Sequence, residues 1–144
     1  MKTKTNQSKL SSVVLALWEV ESLFNEIRGV EGNKGLLSQE ISLVHKKRLM
    51  SLLECITPHM KHIKELRNDL IEKYGNKDGE NWIIPTYTKV GDKDVPNPKL
   101  QKYEKEITEL LEAKETIQVN LFKIEDFDFK TSDVYPVFLN RLCE

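Results

Sequence analysis

Apolar residues in this chain recur mainly at helical spacing. Leu10, Val13, Leu17, Val20, Phe24 and Ile27 follow at steps of 3, 4, 3, 4 and 3, which places all six on one stripe of a helix. Gly29, Gly32 and Gly35 interrupt the pattern, so "GVEGNKG" reads as the end of that helix and a connecting loop. A second stripe of Leu49, Leu52, Ile56, Met60, Ile63, Leu70 and Tyr74 predicts a long helix, with Ser38 as its N-cap and Gly75 ending it in a left-handed conformation. Lys46, Lys47, Lys61, Lys64 and Glu72 fall on the opposite face. Asn97 and Pro98 mark the start of a third helix, with Leu100, Tyr103, Ile107, Leu110 and Ile117 on its stripe and only Lys114 breaking the series.

Pro58 falls inside the second stripe. It removes a backbone donor and crowds the carbonyl of Glu54, at a cost of about 3 kcal/mol in a straight helix. Because the stripe continues in phase beyond it, the sequence predicts one kinked helix rather than two.

Between the second and third helices the period changes. "NKDGEN" reads as a turn, and "WIIPTYTKV" as a strand rich in aromatic and β-branched residues. Pro85 restricts that strand to an edge or to the arm of an exposed hairpin turning at "GDKD". In "IQVNLFKI", Ile117, Val119 and Leu121 share one side of an extended chain, a strand expected to pair with the one near Trp82. Phe127 and Phe129 are expected anchors, and Thr131 or Ser132 the cap of a short last helix, "VYPVFLNRL", with Pro136 in its first turn. Residues 1–8 are polar and read as disordered. The expected fold is one mainly α (α+β) domain over residues 1–144, a helical hairpin or bundle with a long kinked helix and a small two-stranded β element.

A length of 144 residues suits one domain, and 39% hydrophobic with 31% charged residues is a folded composition. The 22 basic and 23 acidic side chains nearly cancel, which leaves no summed field to draw in nucleic acid or a membrane surface. "VVLALW" is too short for a signal core or a membrane span. Cys55 and Cys143 belong to no paired motif and read as reduced thiols. The expected location is therefore cytoplasmic, the host cytoplasm if the chain is viral.

Candidate chemistry is sparse. In "CITPHMKH", Cys55, His59 and His62 lie within about 60° of one another on a helix, a face that could offer soft ligands. A structural zinc site needs four ligands and a catalytic one three that converge, and the outside donors are only His45, Cys143 and scattered carboxylates. No metal is therefore expected, with Cys55 packing as a small hydrophobe and both histidines flanking the stripe. Ser38, Ser42 and Ser51 lie near His45 in sequence, but no G-x-S-x-G elbow surrounds them. The pairs Glu104/Glu106, Glu109/Glu112 and Asp126/Asp128 read as solvated surface, and "GVEGNKG" lacks the strand and the lysine-serine ending of a phosphate loop. The expectation is a protein that is not an enzyme, with no catalytic residue and no cofactor. "HKKR" at 45–48 points in every direction around a helix and makes no nucleic-acid surface. The best recognition candidate is the edge strand, with Trp82, Ile84, Tyr87 and Lys89 as protein-binding residues.

"LRNDLIEKYGNKDGENWIIP", followed by "NPKLQKYEKEITELLEAKETIQVNLFKIEDF" and a short terminal helix, resembles small accessory proteins of tailed bacteriophages over roughly residues 62–142. In those, a helix ending in Lys-Tyr-Gly and a DG-type turn lead to a second helix and a strand, here Glu115 to Val119. The resemblance implies a phage accessory protein and carries over no functional residue. Three readings follow. The first is a non-catalytic protein-binding factor that modulates a host protein such as a polymerase or a defence enzyme. The second is a virion or assembly component that self-associates through its stripes, the first helix being able to form a homodimeric coiled coil. The third is a metal-binding protein using the Cys55/His59/His62 face.

Overall fold

The computed structural model describes residues 10–127 and 135–144. In chain order its first elements are β1 (Ser11–Ala16), α1 (Leu17–Arg28), β2 (Gly29–Val30), β3 (Asn33–Lys34), a 3-10 turn (Leu36–Ser38) and α2 (Leu43–Tyr74). Then come β4 (Asn76–Asp78), β5 (Asn81–Ile83), β6 (Tyr87–Val90), β7 (Lys93–Pro96), α3 (Pro98–Glu112) and β8 (Lys114–Val119). A 3-10 turn (Ile124–Asp126) and a π-helical turn (Phe138–Leu142) complete the described chain. Two compact units result: residues up to Met60 together with those from Lys114 onward, and Lys61–Ala113.

The strands overturn the expectation of a mainly α fold with one small β element. Among the described residues, eight strands form four separate two-stranded antiparallel sheets, and the fold is a mixed α/β one. Most of these strands are too short, at two to four residues, for a period of two to show in the sequence. Their turns are set instead by single glycines. Gly79 and Gly91, each with φ of 64°, take the first turn position that a type II′ hairpin requires.

In the first unit, the chain from Ser11 to Ala16 is a strand rather than the start of the first helix. It pairs with β8 in a register running from Ser11 opposite Val119 to Ala16 opposite Lys114, so β8 does not pair near Trp82 as expected. The helical stripe over this stretch is a coincidence of spacing. Val13 and Leu15 face inward at strand period while Ser12 and Val14 are exposed, and the β-branched valines suit a ladder. From Leu17 the helical reading holds, with Leu17, Val20, Leu23 and Ile27 buried; Phe24, expected in the stripe, is half-buried and Leu23 takes its place. The core joins these to Leu36, Leu49, Leu52, Ile56, Phe122, Phe138 and Leu142. Phe127 is buried as expected. Phe129, Thr131, Ser132 and residues 1–8 lie outside the described residues.

α2 starts at Leu43, and Ser42 rather than Ser38 receives a backbone N–H there, that of His45 at 3.3 Å. It runs unbroken through Pro58, where the Thr57 hydroxyl donates to the Leu53 carbonyl at 2.7 Å. No described helix is long and apolar enough to cross a membrane.

The second unit holds the rest of α2, the hairpins β4–β5 and β6–β7, and α3. "WIIPTYTKV" is therefore two strands in two different hairpins, separated at Pro85. Gly75 does not adopt the expected positive φ. Glycine is needed there for space: an added Cβ would lie 2.5 Å from the Ile71 carbonyl oxygen and 2.7 Å from that of Ile83. α3 begins as expected, Asn97 capping it by accepting from the Lys99 N–H at 3.1 Å ahead of Pro98.

Candidate functional site

In the first unit the buried carboxylates Glu19 and Glu26 and the half-buried Arg48 each find hydrogen-bond partners within the unit. Arg48, from the "HKKR" run, donates to the carbonyls of Asn120 at 3.0 Å and Leu121 at 2.7 Å, and its guanidinium lies 4.3 Å from the centre of the Phe122 ring. Those bonds tie Arg48 to the chain just beyond β8. Buried Glu19 accepts from the Ala16 N–H at 3.0 Å and from Arg141 Nε at 2.8 Å. Burial alone would raise its carboxyl, but these two donors hold it below its ordinary value. Buried Glu26 accepts from the backbone N–H groups of Phe138 at 2.9 Å and Val137 at 3.2 Å, and here burial wins and pushes the carboxyl up.

Ser42, His45 and Asp126, on α2 and the 124–126 turn, come together as the sequence did not foresee. Ser42 Oγ lies 2.9 Å from His45 Nδ1, and His45 Nε2 lies 3.3 Å from Asp126 Oδ2. The residue types are those of a hydrolase relay, but Ser42 Oγ also accepts the His45 backbone N–H as the cap of α2. His45 further stacks at 5.7 Å on Phe127. The arrangement works as a tether that fixes the start of α2 to the turn before Phe127.

Cys55 and His62 are exposed and His59 is half-buried. Among the described residues no group of three or more His, Cys, Asp or Glu is placed to hold a metal ion. Cys55 is exposed and Cys143 half-buried, and burial pushes the Cys143 thiol up to about 11. At pH 8 roughly one Cys143 in a thousand is thiolate. Labelling with a thiol reagent at that pH is expected to modify exposed Cys55 well before half-buried Cys143; equal rates at both would count against the shielding of Cys143.

The second unit is built differently. Of its residues only Ile63 and Asn97 are buried. α3 is amphipathic yet has no buried residue, and Leu100, Tyr103, Ile107, Leu110 and Leu111 are half-covered. Leu66 and Leu70 of α2 and Leu110 of α3 line an open groove with Asp69, Lys73, Glu106 and Glu109 on its rim. Lys73 Nζ lies 3.5 Å from Glu106 Oε1. The Tyr74 hydroxyl and then the Lys73 ammonium hold the Glu106 carboxyl below its ordinary value.

Of the predicted binding residues, Trp82 lies on β5, Ile84 in the link after it, and Tyr87 and Lys89 on β6. Trp82 is 39% exposed and Tyr87 61%, Lys89 is exposed, and Ile84 is half-buried. Sequence reasoning missed Ile83 and Val90, which are exposed beside them, and Leu66 in the groove. The signal for Leu66 was present, since it stands three residues after Ile63 and four before Leu70. Asn97 joins the elements that carry these side chains. While its Oδ1 caps α3, its Nδ2 donates to the Pro85 carbonyl at 2.7 Å and its backbone N–H to that of Thr86 at 3.0 Å.

The chain matches no protein-family model, no curated protein and no solved structure. The phage resemblance gains no support from these comparisons.

Proposed function

We propose that this chain is a non-catalytic protein-binding protein and that residues 61–113 carry its interaction surface. One observation supports this above the others: a unit with three leucines along its groove and five half-covered apolar positions on α3 buries only Ile63 among its large apolar side chains. Water-exposed apolar surface costs about 25 cal/mol per Å², and contiguous patches of it characterise recognition sites. Trp82, Ile83, Tyr87 and Val90 add exposed aromatic and aliphatic anchors on two short hairpins. The phage resemblance extends the proposal to a host protein, such as a polymerase or a defence enzyme, as the partner.

Affinity capture with tagged full-length chain tests the reading. A partner retained in stoichiometric amount, own copies included, and lost when Trp82 and Tyr87 are both changed to Ala or when Ile107 is changed to Asp, is the expected result. A chain that retains nothing in stoichiometric amount, or retains it equally with either variant, refutes it.

A further inference from the structure

We propose that the first unit carries a small-molecule site, a recess between α2 and β8 that takes a small carboxylate with an apolar body and seats it beside the Cys55 thiol. The site lies outside residues 61–113, so it stands or falls apart from the interaction surface proposed above.

Helical spacing builds one wall of it. Lys47, Ser51 and Cys55 stand four residues apart on α2 and so lie one above another on one face, with Arg48 and Leu52 in the adjoining row. All five line the recess, which has a volume of about 220 Å³, and Val119 of β8 and Phe122 beyond it add apolar surface.

Charge gives the class of occupant. Arg48 is half-buried and makes two hydrogen bonds, both from one nitrogen to backbone carbonyls, which hold the guanidinium over the Phe122 ring without cancelling its charge. A charge taken partly out of water is costly unless an opposite charge meets it. Among the described residues none does. Glu125, Asp126 and Glu144 line a separate recess that Arg48 also borders, but none forms an ion pair with it, and Asp126 is held by His45 at 3.3 Å. Lys47 and Ser51 have no hydrogen-bond or ionic partner among the described residues either. No Asp or Glu lines the recess, and the nine residues that precede Leu10, which also lines it, contain three lysines and no carboxylate. An incoming carboxylate supplies the missing countercharge and accepts charge-assisted hydrogen bonds from Lys47 and from the Arg48 N–H groups that have no carbonyl. Because Arg48 is already fixed, little ordering opposes the contact.

Size and lining give the rest. An apolar cavity of about 150 Å³ holds a benzene molecule, and sites for drug-sized ligands span about 300–1,000 Å³. A recess of about 220 Å³ therefore suits one ring or a short chain bearing one anionic group. Inorganic phosphate uses the donors but leaves Leu52, Val119 and Phe122 without a partner; a neutral compound of the same shape leaves the charges unmet.

The rate at which neutral iodoacetamide alkylates Cys55 in the full chain, read by peptide mass spectrometry, reports occupancy. Benzoate or hexanoate is expected to slow that rate saturably, whereas benzyl alcohol and inorganic phosphate at the same concentration leave it unchanged. Lys47→Glu is expected to weaken the protection by about tenfold or more, the usual worth of a charge-assisted hydrogen bond, with unchanged circular dichroism because Lys47 is exposed. Lys46→Glu makes the same change in net charge at a side chain that does not line the recess, and is expected to weaken protection far less. Absence of protection by both acids into the tens of millimolar overturns the inference. So does equal protection by benzyl alcohol or phosphate, or an equal loss in the two lysine variants. None of these outcomes bears on capture of a partner by residues 61–113, which is tested separately.

Discussion

Changing Phe138 to Ala is expected to lower the stability of the first unit by about 3–5 kcal/mol, the usual cost of deleting a fully buried aromatic ring. Phe138 is completely buried, with its ring centre 5.1 Å from that of Phe122 and 5.4 Å from that of Phe127 in an edge-on approach. These geometries add to the burial itself, since tilted aromatic pairs favour one another by about 0.5–1.5 kcal/mol beyond area. The loss spreads further, because Phe122 also lies beneath the Arg48 guanidinium and its N–H donates to the Leu142 carbonyl at 2.8 Å. Trp18 lies on α1 of the first unit and Trp82 in the second, so fluorescence in a Trp82→Phe background follows the first unit by itself. With a urea slope of about 2 kcal/mol per molar, the midpoint should fall by about 2 M. A fall of less than about 0.5 M would mean that the three rings do not form one packed cluster.

The sequence made the helices legible wherever burial and period coincide. The second stripe found α2 because Leu49, Leu52, Ile56 and Ile63 are core residues, and Asn97-Pro98 placed the start of α3 because its cap is local chemistry. Ser11–Ala16 misled because Val13 and Leu17 satisfy a helical step as well as an inward-facing strand position followed by a helix; the partner strand that decides between them lies about a hundred residues away. The short hairpins had no period to read, only Gly79 and Gly91. The recognition candidates Trp82 and Tyr87 were legible as exposed aromatics near Pro85, but their separation into two hairpins was not, since Asn97 grips the Pro85–Thr86 link from twelve residues away. The Ser42–His45–Asp126 tether was half visible: the Ser-to-His step is local, whereas Asp126 arrives only through the fold.

Glu26 gives the second large effect, and one with a sign. Its two carboxylate oxygens take the N–H groups of Val137 and Phe138, which open the last turns of the described chain. Glu26→Ala leaves both donors buried and unpaired, at about 1–3 kcal/mol each, so a loss of about 2–6 kcal/mol is expected. Glu26→Gln keeps one good acceptor and costs less. Burial raises the Glu26 carboxyl above its ordinary value of 4.5, with the two N–H groups opposing, so the folded chain holds that proton more tightly than the unfolded one. The contribution favours folding at pH below 4.5 and is lost as pH rises through the raised value, the reverse of Glu19, whose lowered carboxyl stabilises above its ordinary value and fails in acid. Subtracting Glu26→Gln from wild type removes Glu19 and every other shared titration. The wild-type advantage, measured by urea midpoints at pH 4 and pH 7, should therefore shrink as pH rises. An advantage that grew with pH would show that the two amides outweigh burial and that the carboxylate, not the acid, is the form this site was built to hold.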